Sequence, residues 1–354
     1  MLRELKYLSG YTIPATAALA LWKPEWFAFL TLIYAFVVIP VFEQWLPIST
    51  ANLNENEENS ALKDTLYDYV LYLSVPLQWF IIGFFLFRVS TESFTTLQLI
   101  GMICATGICS GVLGINVAHE LGHRAAQSER LMAWLLLLSS LYLHFYVEHN
   151  RGHHRYVATP HDPATARKHE TLYAFWIRSI VGSYLSAWRI QGDLLRKDGY
   201  RFLSWHNTML WFQVAQVALL AGIGLAFGVQ TLLLFIPTAL MGILLLETIN
   251  YIEHYGLSRK ERSPGVYEKV LPSHSWNSNY TLGRVMLFEL TRHADHHYKA
   301  SRKYQVLRHF DDSPQLPAGY PAMMLLSTIP PLWFKVMNPR IDGDGRGSSS
   351  LVAA

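Results

Sequence analysis

Histidine is the residue that this chain concentrates. Glu148-His149-Asn150-Arg151-Gly152-His153-His154 holds three imidazoles and a carboxylate in seven residues, directly after the apolar run 131–147. His119-Glu120-Leu121-Gly122-His123 closes the apolar run from Phe94, and His293-Ala294-Asp295-His296-His297 lies in the C-terminal part. His254 ends a further apolar run. Residues four apart on a helix leave the same face, with Cβ atoms about 5–6 Å apart. His119 with His123, and His149 with His153, therefore form candidate pairs, with His154 adding an adjacent ligand. His293, His296 and His297 combine spacings of three and four. Neutral imidazole binds iron, zinc and copper. Nine imidazoles exceed the four ligands of a structural zinc and point to two metals.

Carboxylates stand beside each cluster: Glu120, Glu148, Glu253 and Asp295. An all-histidine ligand set has no compensating charge, so these groups are expected to accept the second ring N–H of the ligands. Glu247, Asn250 and His254 share a helix face by spacing, and polar groups inside a membrane run are costly enough to imply a use. Asp162 lies in the turn-forming stretch Thr159-Pro160-His161-Asp162-Pro163 and is a further candidate for supporting a ligand. The other six of the 15 histidines show no partner spacing or lie in that polar loop, and are read as ordinary residues.

The positioning elements follow from composition. The chain is 51% apolar and 16% charged, where soluble proteins average roughly 25% charged. Apolar runs at 11–22, 26–42, 69–87, 94–118, 208–227 and 231–251 predict an all-α membrane protein with six crossings. The run 131–147 cannot cross without carrying His149 to the face opposite His119, so it is expected to be a helix that does not span. Arg3, Lys6, Lys23, Lys63 and Arg88 are the only basic residues before position 119, and the other 24 of 29 fall in 124–204 and 255–354. This asymmetry assigns 119–207 and 252–340 to the cytoplasmic side as a histidine-bearing helical cap, with both termini there too. Residues 341–354 are expected to form a Gly/Ser-rich tail or linker. Cys104 and Cys109 cannot build an iron–sulfur site, and no flavin or haem motif is present. A formal charge of +3 gives no case for nucleic acid.

Several segments resemble the membrane-bound alkane monooxygenases (alkane 1-hydroxylases) of the histidine-box superfamily. His119–His123 is similar to that family's HELxH box, Glu148–His154 to EHxxGHH, and Leu290–His297 to LxRHxDHH. Asn250-Tyr251-Ile252-Glu253-His254-Tyr255-Gly256-Leu257 resembles the family's NYxEHYGL motif. The resemblance implies two non-haem irons held by the nine histidines in a bacterial inner membrane. It implies O₂-dependent hydroxylation of medium-to-long-chain n-alkanes to 1-alkanols. Electrons would come from rubredoxin, itself reduced by an NADH-dependent reductase.

An alkane offers no polar handle, so a narrow apolar channel must lead to the metals, and Tyr34, Phe36, Trp79, Phe80 and Phe84 are candidate walls. The basic residues Arg259, Lys260, Arg262, Lys269, Lys299, Arg302 and Lys303 would suit an acidic electron carrier. Two other readings compete. A histidine-box fatty acyl desaturase or hydroxylase would place an acyl carrier at the same face. An intramembrane zinc protease would use only His119, Glu120 and His123. A metal transporter is disfavoured, because the ligands gather at one membrane face and leave no midplane site.

Overall fold

The computed structural model describes residues 3–343 and is mainly helical, with a short hairpin pairing Glu261 with Tyr267 and two isolated bridges, Ile48 with Tyr280 and Asn277 with Gln315. Among the described residues, five helices are long and apolar enough to cross a membrane: Pro24–Glu43, Leu66–Thr91, Thr96–Gly122, Thr208–Phe227 and Val229–His254. They match five of the six expected crossings. The sixth segment is the eleven-residue helix Thr12–Trp22, which follows a 3-10 stretch, Arg3–Tyr11. It is not among the helices long enough to span. Its small residues Ala17 and Ala20 are buried with Leu21 against Ile81, Ile82 and Phe85 of the second span.

The third span forms the centre of the bundle. Glycines let its neighbours approach closely. A Cβ at Gly107 would stand 2.5 Å from Met241 Cβ of the fifth span, and one at Gly101 would stand 2.6 Å from Ala28 Cβ of the first. The span starts on a capping box, with Thr95 and Gln98 satisfying each other's backbone N–H, and loosens into a π turn at Ser110–Ile115 before reaching His119. Single π turns inside α-helices are frequent at functional sites.

The run 131–147 does not span. Gln127–Leu138 is a twelve-residue helix, about 18 Å long at 1.5 Å per residue, well short of a roughly 30 Å hydrocarbon layer. The chain then turns at Leu141, whose φ is +55°, and re-enters helix at Phe145–Glu148. Glu247 of the fifth span holds this turn, accepting from Tyr142 Oη at 2.7 Å. That accounts for a carboxylate inside an apolar run.

The part after the fifth span folds back onto the bundle. Gly283 N donates to the buried Glu43 carboxylate at 2.6 Å, and Cβ atoms at Gly283 or Gly319 would collide with that carboxylate. Pro330–Gly343 closes the chain as a helix in which Ile341 is buried. Of the expected tail, 341–343 belong to this helix. Its remainder, 344–354, lies outside the described residues.

Candidate metal centre

All nine histidines singled out by spacing converge, although they come from four separate segments. His119, His123, His149, His154 and His296 form one group, and His153, His254, His293 and His297 a second. Within each group the donor atoms lie within 4.8 Å of one another. His119 and His123 pair as expected across one turn at the end of the third span. The pairing of His149 with His153 does not occur, because His149–His153 is a π turn. With bonds from i to i+5, His149 and His154 share a face, their Nε2 atoms 3.0 Å apart. His153 is rotated into the other group. His293–Tyr298 stays helical, so His293 and His297 pair, Nε2 to Nε2 2.9 Å, and His296 reaches the first group.

These contacts are poor as hydrogen bonds. A neutral imidazole nitrogen carries either one proton or one lone pair. Yet His149 Nε2 faces both His123 Nε2 at 3.1 Å and His154 Nε2 at 3.0 Å, and His154 Nε2 also faces His296 Nε2 at 3.0 Å. In the second group His293 Nε2 faces His254 at 3.1 Å and His297 at 2.9 Å. His119 Nε2 and His153 Nε2 are buried without a hydrogen-bond partner. Donors about 2.1 Å from a shared ion stand about 3.0 Å apart at right angles and about 3.4 Å apart at tetrahedral angles. The observed spacings are those of nitrogens that could converge on one ion in each group.

The imidazoles suit that role electronically. Burial, reinforced by the neighbouring rings, pushes His149, His154, His293, His296 and His297 well below the usual histidine range. His123 is pushed down to about 4 by the same causes. They are therefore neutral near pH 7, with a lone pair to donate. His153 is the exception. Burial opposes its protonation, but the Asp162 carboxylate outweighs that and raises it.

The carboxylates depart from expectation. Asp162 alone stands behind a ring, its Oδ2 2.9 Å from His153 Nδ1 and 2.6 Å from the Thr165 hydroxyl that donates to it. Glu120 instead accepts from Arg124 at 2.7 Å and from Tyr304 N at 3.2 Å. Asp295 is paired with Arg302 and accepts from Arg308 N at 2.8 Å. Glu148 accepts from Ser186 at 3.3 Å, and Asn250 donates to Glu247 at 3.4 Å. Glu253 approaches a metal-facing nitrogen, with Oε2 3.1 Å from His293 Nε2. Losing the acceptor behind His153 is expected to weaken ion retention by roughly 10–100-fold. Asp162→Ala should show this in a chelator challenge, and Asp162→Asn should restore part of it.

An apolar cavity of about 80 Å³ opens onto both groups. Ile13, Ala35, Phe36, Ile39, Ile108 and Val112 line its apolar reach, and His119, His149 and His293 its other end. Phe145, stacked on His149 at 4.7 Å, is also part of the wall. Of the five expected channel residues only Phe36 lines this cavity. Tyr34 donates to Thr12 Oγ1 at 2.9 Å. Phe80 and Phe84 stack on each other at 5.9 Å with Phe80 facing outward, and Trp79 on the same helix is likewise absent from the wall. His144, read as ordinary, is buried between Tyr142 and Tyr184 and joins neither group.

The family model described as fatty acid desaturase matches residues 94–327, the stretch that holds all nine histidines. Alkane 1-monooxygenase 2 of Pseudomonas aeruginosa is 38% identical over 353 residues, covering 96% of this chain and 93% of that one. The chain belongs to the alkane 1-monooxygenase family. Alkane 1-monooxygenase 2 of Alcanivorax borkumensis is 38% identical over 319 residues, 90% of this chain and 84% of that protein. The hydroxylase component of a xylene/toluene monooxygenase from Pseudomonas putida is 33% identical over 281 residues, 76% of this chain and 72% of that protein.

Proposed function

We propose that the chain hydroxylates the terminal methyl of medium-to-long-chain n-alkanes, converting alkane, O₂, two electrons and two protons into a 1-alkanol and water. The observation that carries this reading is the cavity, whose wall is mostly apolar and includes histidines of both groups, with Asn116, Asn250 and Glu253 as its other polar members. Two non-haem irons would be held by the five-histidine and four-histidine groups, and iron bound there supplies the electrons that activate O₂. The protein's own part is to admit a chain with no polar handle, hold its end near the imidazoles and exclude water. Phe145 and Leu246 line the same cavity as His119 and His149.

Electrons are proposed to come from rubredoxin, kept reduced by its NADH-dependent reductase. His123 and His154 are the half-exposed members of the five-histidine group, while the four-histidine group is wholly buried, which favours electron arrival at the former. Among the expected docking residues, Arg302 and Lys303 are already paired with Asp295 and Asp68, and Arg259 binds backbone carbonyls. The exposed Lys260, Arg262, Lys269 and Lys299 remain for an acidic carrier. The donor-coupled rate is therefore expected to fall steeply with salt, since exposed charges are screened within about 8–10 Å at physiological ionic strength. The excess of basic residues in 124–204 and 255–354 supports a cytoplasmic centre in the inner membrane.

Product analysis with octane, dodecane and an acyl-CoA tests the assignment. 1-Octanol or 1-dodecanol is the expected product, and turnover of the acyl-CoA alone would overturn it. The zinc-protease reading needs Glu120 free to activate water, whereas Arg124 and Tyr304 N occupy it. Glu120→Gln is accordingly expected to lower thermal stability, by up to about 3–5 kcal/mol for breaking a buried pair, while retaining both ions. Unchanged stability with complete loss of activity would favour the other chemistry.

A further inference from the structure

We infer that Glu289 is a positioning residue: clamped by the segment Arg3–Tyr11, it holds the strained bend that aims His293, His296 and His297 into the two groups. The inference rests on the two-ion reading above and names what places its third cluster. Residues 287–292 join the helix Thr281–Met286 to the helix His293–Tyr298. Within that bend Phe288 and Glu289 have φ of +53° and +60°. Left-handed backbone is unfavourable for residues with a Cβ, and such a pair persists only where the surroundings over-determine it. The bend matters because the helix it launches serves both groups. His296 belongs to the five-histidine group, and His293 and His297 to the four-histidine group.

The surroundings come largely from a segment that carries no histidine. The Glu289 carboxylate is buried, and its Oε1 accepts from Tyr7 Oη at 2.7 Å and from Lys6 Nζ at 3.4 Å. Arg284, on the helix before the bend, pairs with Oε2 at 2.7 Å. The Phe288 ring stacks on Tyr7, centroids 6.4 Å apart, and meets Tyr304 edge-on at 6.0 Å. Gly10 lets the segment come this near, since a Cβ there would stand 2.9 Å from Met286 O and 3.2 Å from Phe288 Cζ. From the third span, Asn116 Nδ2 donates to Leu287 O at 3.1 Å, three residues before His119. The bend is thus tied both to Arg3–Tyr11 and to the span that carries His119. Arg284 and Arg292 are buried beside Glu289. Loss of its charge would leave two buried guanidiniums without the carboxylate they share, which is costly.

The test uses cobalt(II) as a spectroscopic probe in the full-length detergent-solubilised chain, where the wild type should take up two ions. Tyr7→Phe removes one hydrogen bond to Glu289 and keeps the ring packed on Phe288. Matched to wild type in elution volume and helicity, it should hold both ions several-fold less tightly in a chelator competition, with shifted visible bands. Glu289→Asn removes the clamp but keeps a residue suited to left-handed backbone. A loss there of roughly tenfold or more is expected, and it marks the carboxylate rather than the backbone preference as the cause. Should that variant fail to fold, Tyr7→Phe decides alone. Arg88→Met is the control, because Arg88 donates to Leu21 O at 2.8 Å and Trp22 O at 2.7 Å, at the far end of the helix that follows Arg3–Tyr11. It should lower thermal stability while both ions and the spectrum stay as in wild type. Wild-type spectrum and chelator resistance in Tyr7→Phe, or equal ion loss in Arg88→Met, would overturn the inference and leave the two-ion reading standing. Fewer than two ions in the wild-type chain would overturn both.

Discussion

Replacing His154 or His296 with alanine is expected to lower 1-alkanol formation by more than about a hundredfold, beyond the 10–100-fold typical of losing a residue behind a metal ligand. His154 Nε2 touches both His149 and His296 at 3.0 Å, so its removal opens the five-histidine group on two edges. The four-histidine group has no contact through that nitrogen and should keep its ion. The expected signature is therefore one metal per chain and negligible turnover, in a protein that still folds. His144→Ala is the matched comparison, since His144 is buried as His296 is and lies five residues from His149. Losing its ring contacts with Tyr142 and Tyr184 should cost stability while both ions and the product remain. Equal metal loss in the two variants would mean that packing, and not ligation, holds the centre together.

Phe36→Ala should shift the enzyme toward longer alkanes. Phe36 is the only aromatic residue of the first span in the cavity wall, and its neighbours there are Ala35, Ile39 and Ile13. Space opened at that position can be filled by further methylenes, each gaining at most about 0.8 kcal/mol, roughly fourfold in affinity. Alkane already dissolved in lipid gains less. Ala35→Phe, introduced beside it on the same wall, should act in the opposite sense and favour the shorter substrate. Competition between octane and hexadecane, read as the ratio of the two alcohols, measures both effects. A ratio unchanged in both variants would place the substrate elsewhere.

The convergence of the nine histidines was legible in the sequence because metal binding needs many like residues close together, and imidazoles gathered at the ends of apolar runs point to that chemistry. Their grouping was not legible. It depends on a π turn at His149–His153, which shifts the facing partner from i+4 to i+5 and which residue types do not announce. The supporting carboxylates were misjudged for a related reason. Adjacency in sequence to a histidine says nothing of side-chain direction, so Glu120 meets Arg124, Asp295 meets Arg302, and the more distant Asp162 reaches His153. Glu253 was placed behind a ring, whereas the helix ending at His254 turns it toward the ligand-facing nitrogen. Composition located five of six apolar helices, but 11–22 has the composition of a crossing without the helix length. Phe80 and Phe84 show the same limit, since an apolar helix gives little sign of which face meets lipid and which meets a cavity.

The most direct measurement is iron per chain in the purified protein after anaerobic loading with ferrous iron, for wild type and for a His119→Ala/His293→Ala double variant. These two residues belong to different groups, and both line the cavity. Two irons in the wild type and none retained by the double variant after a chelator challenge is the expected result. A single iron in the wild type, or two irons retained undiminished by the double variant, would contradict a paired centre built from imidazoles of four separate segments.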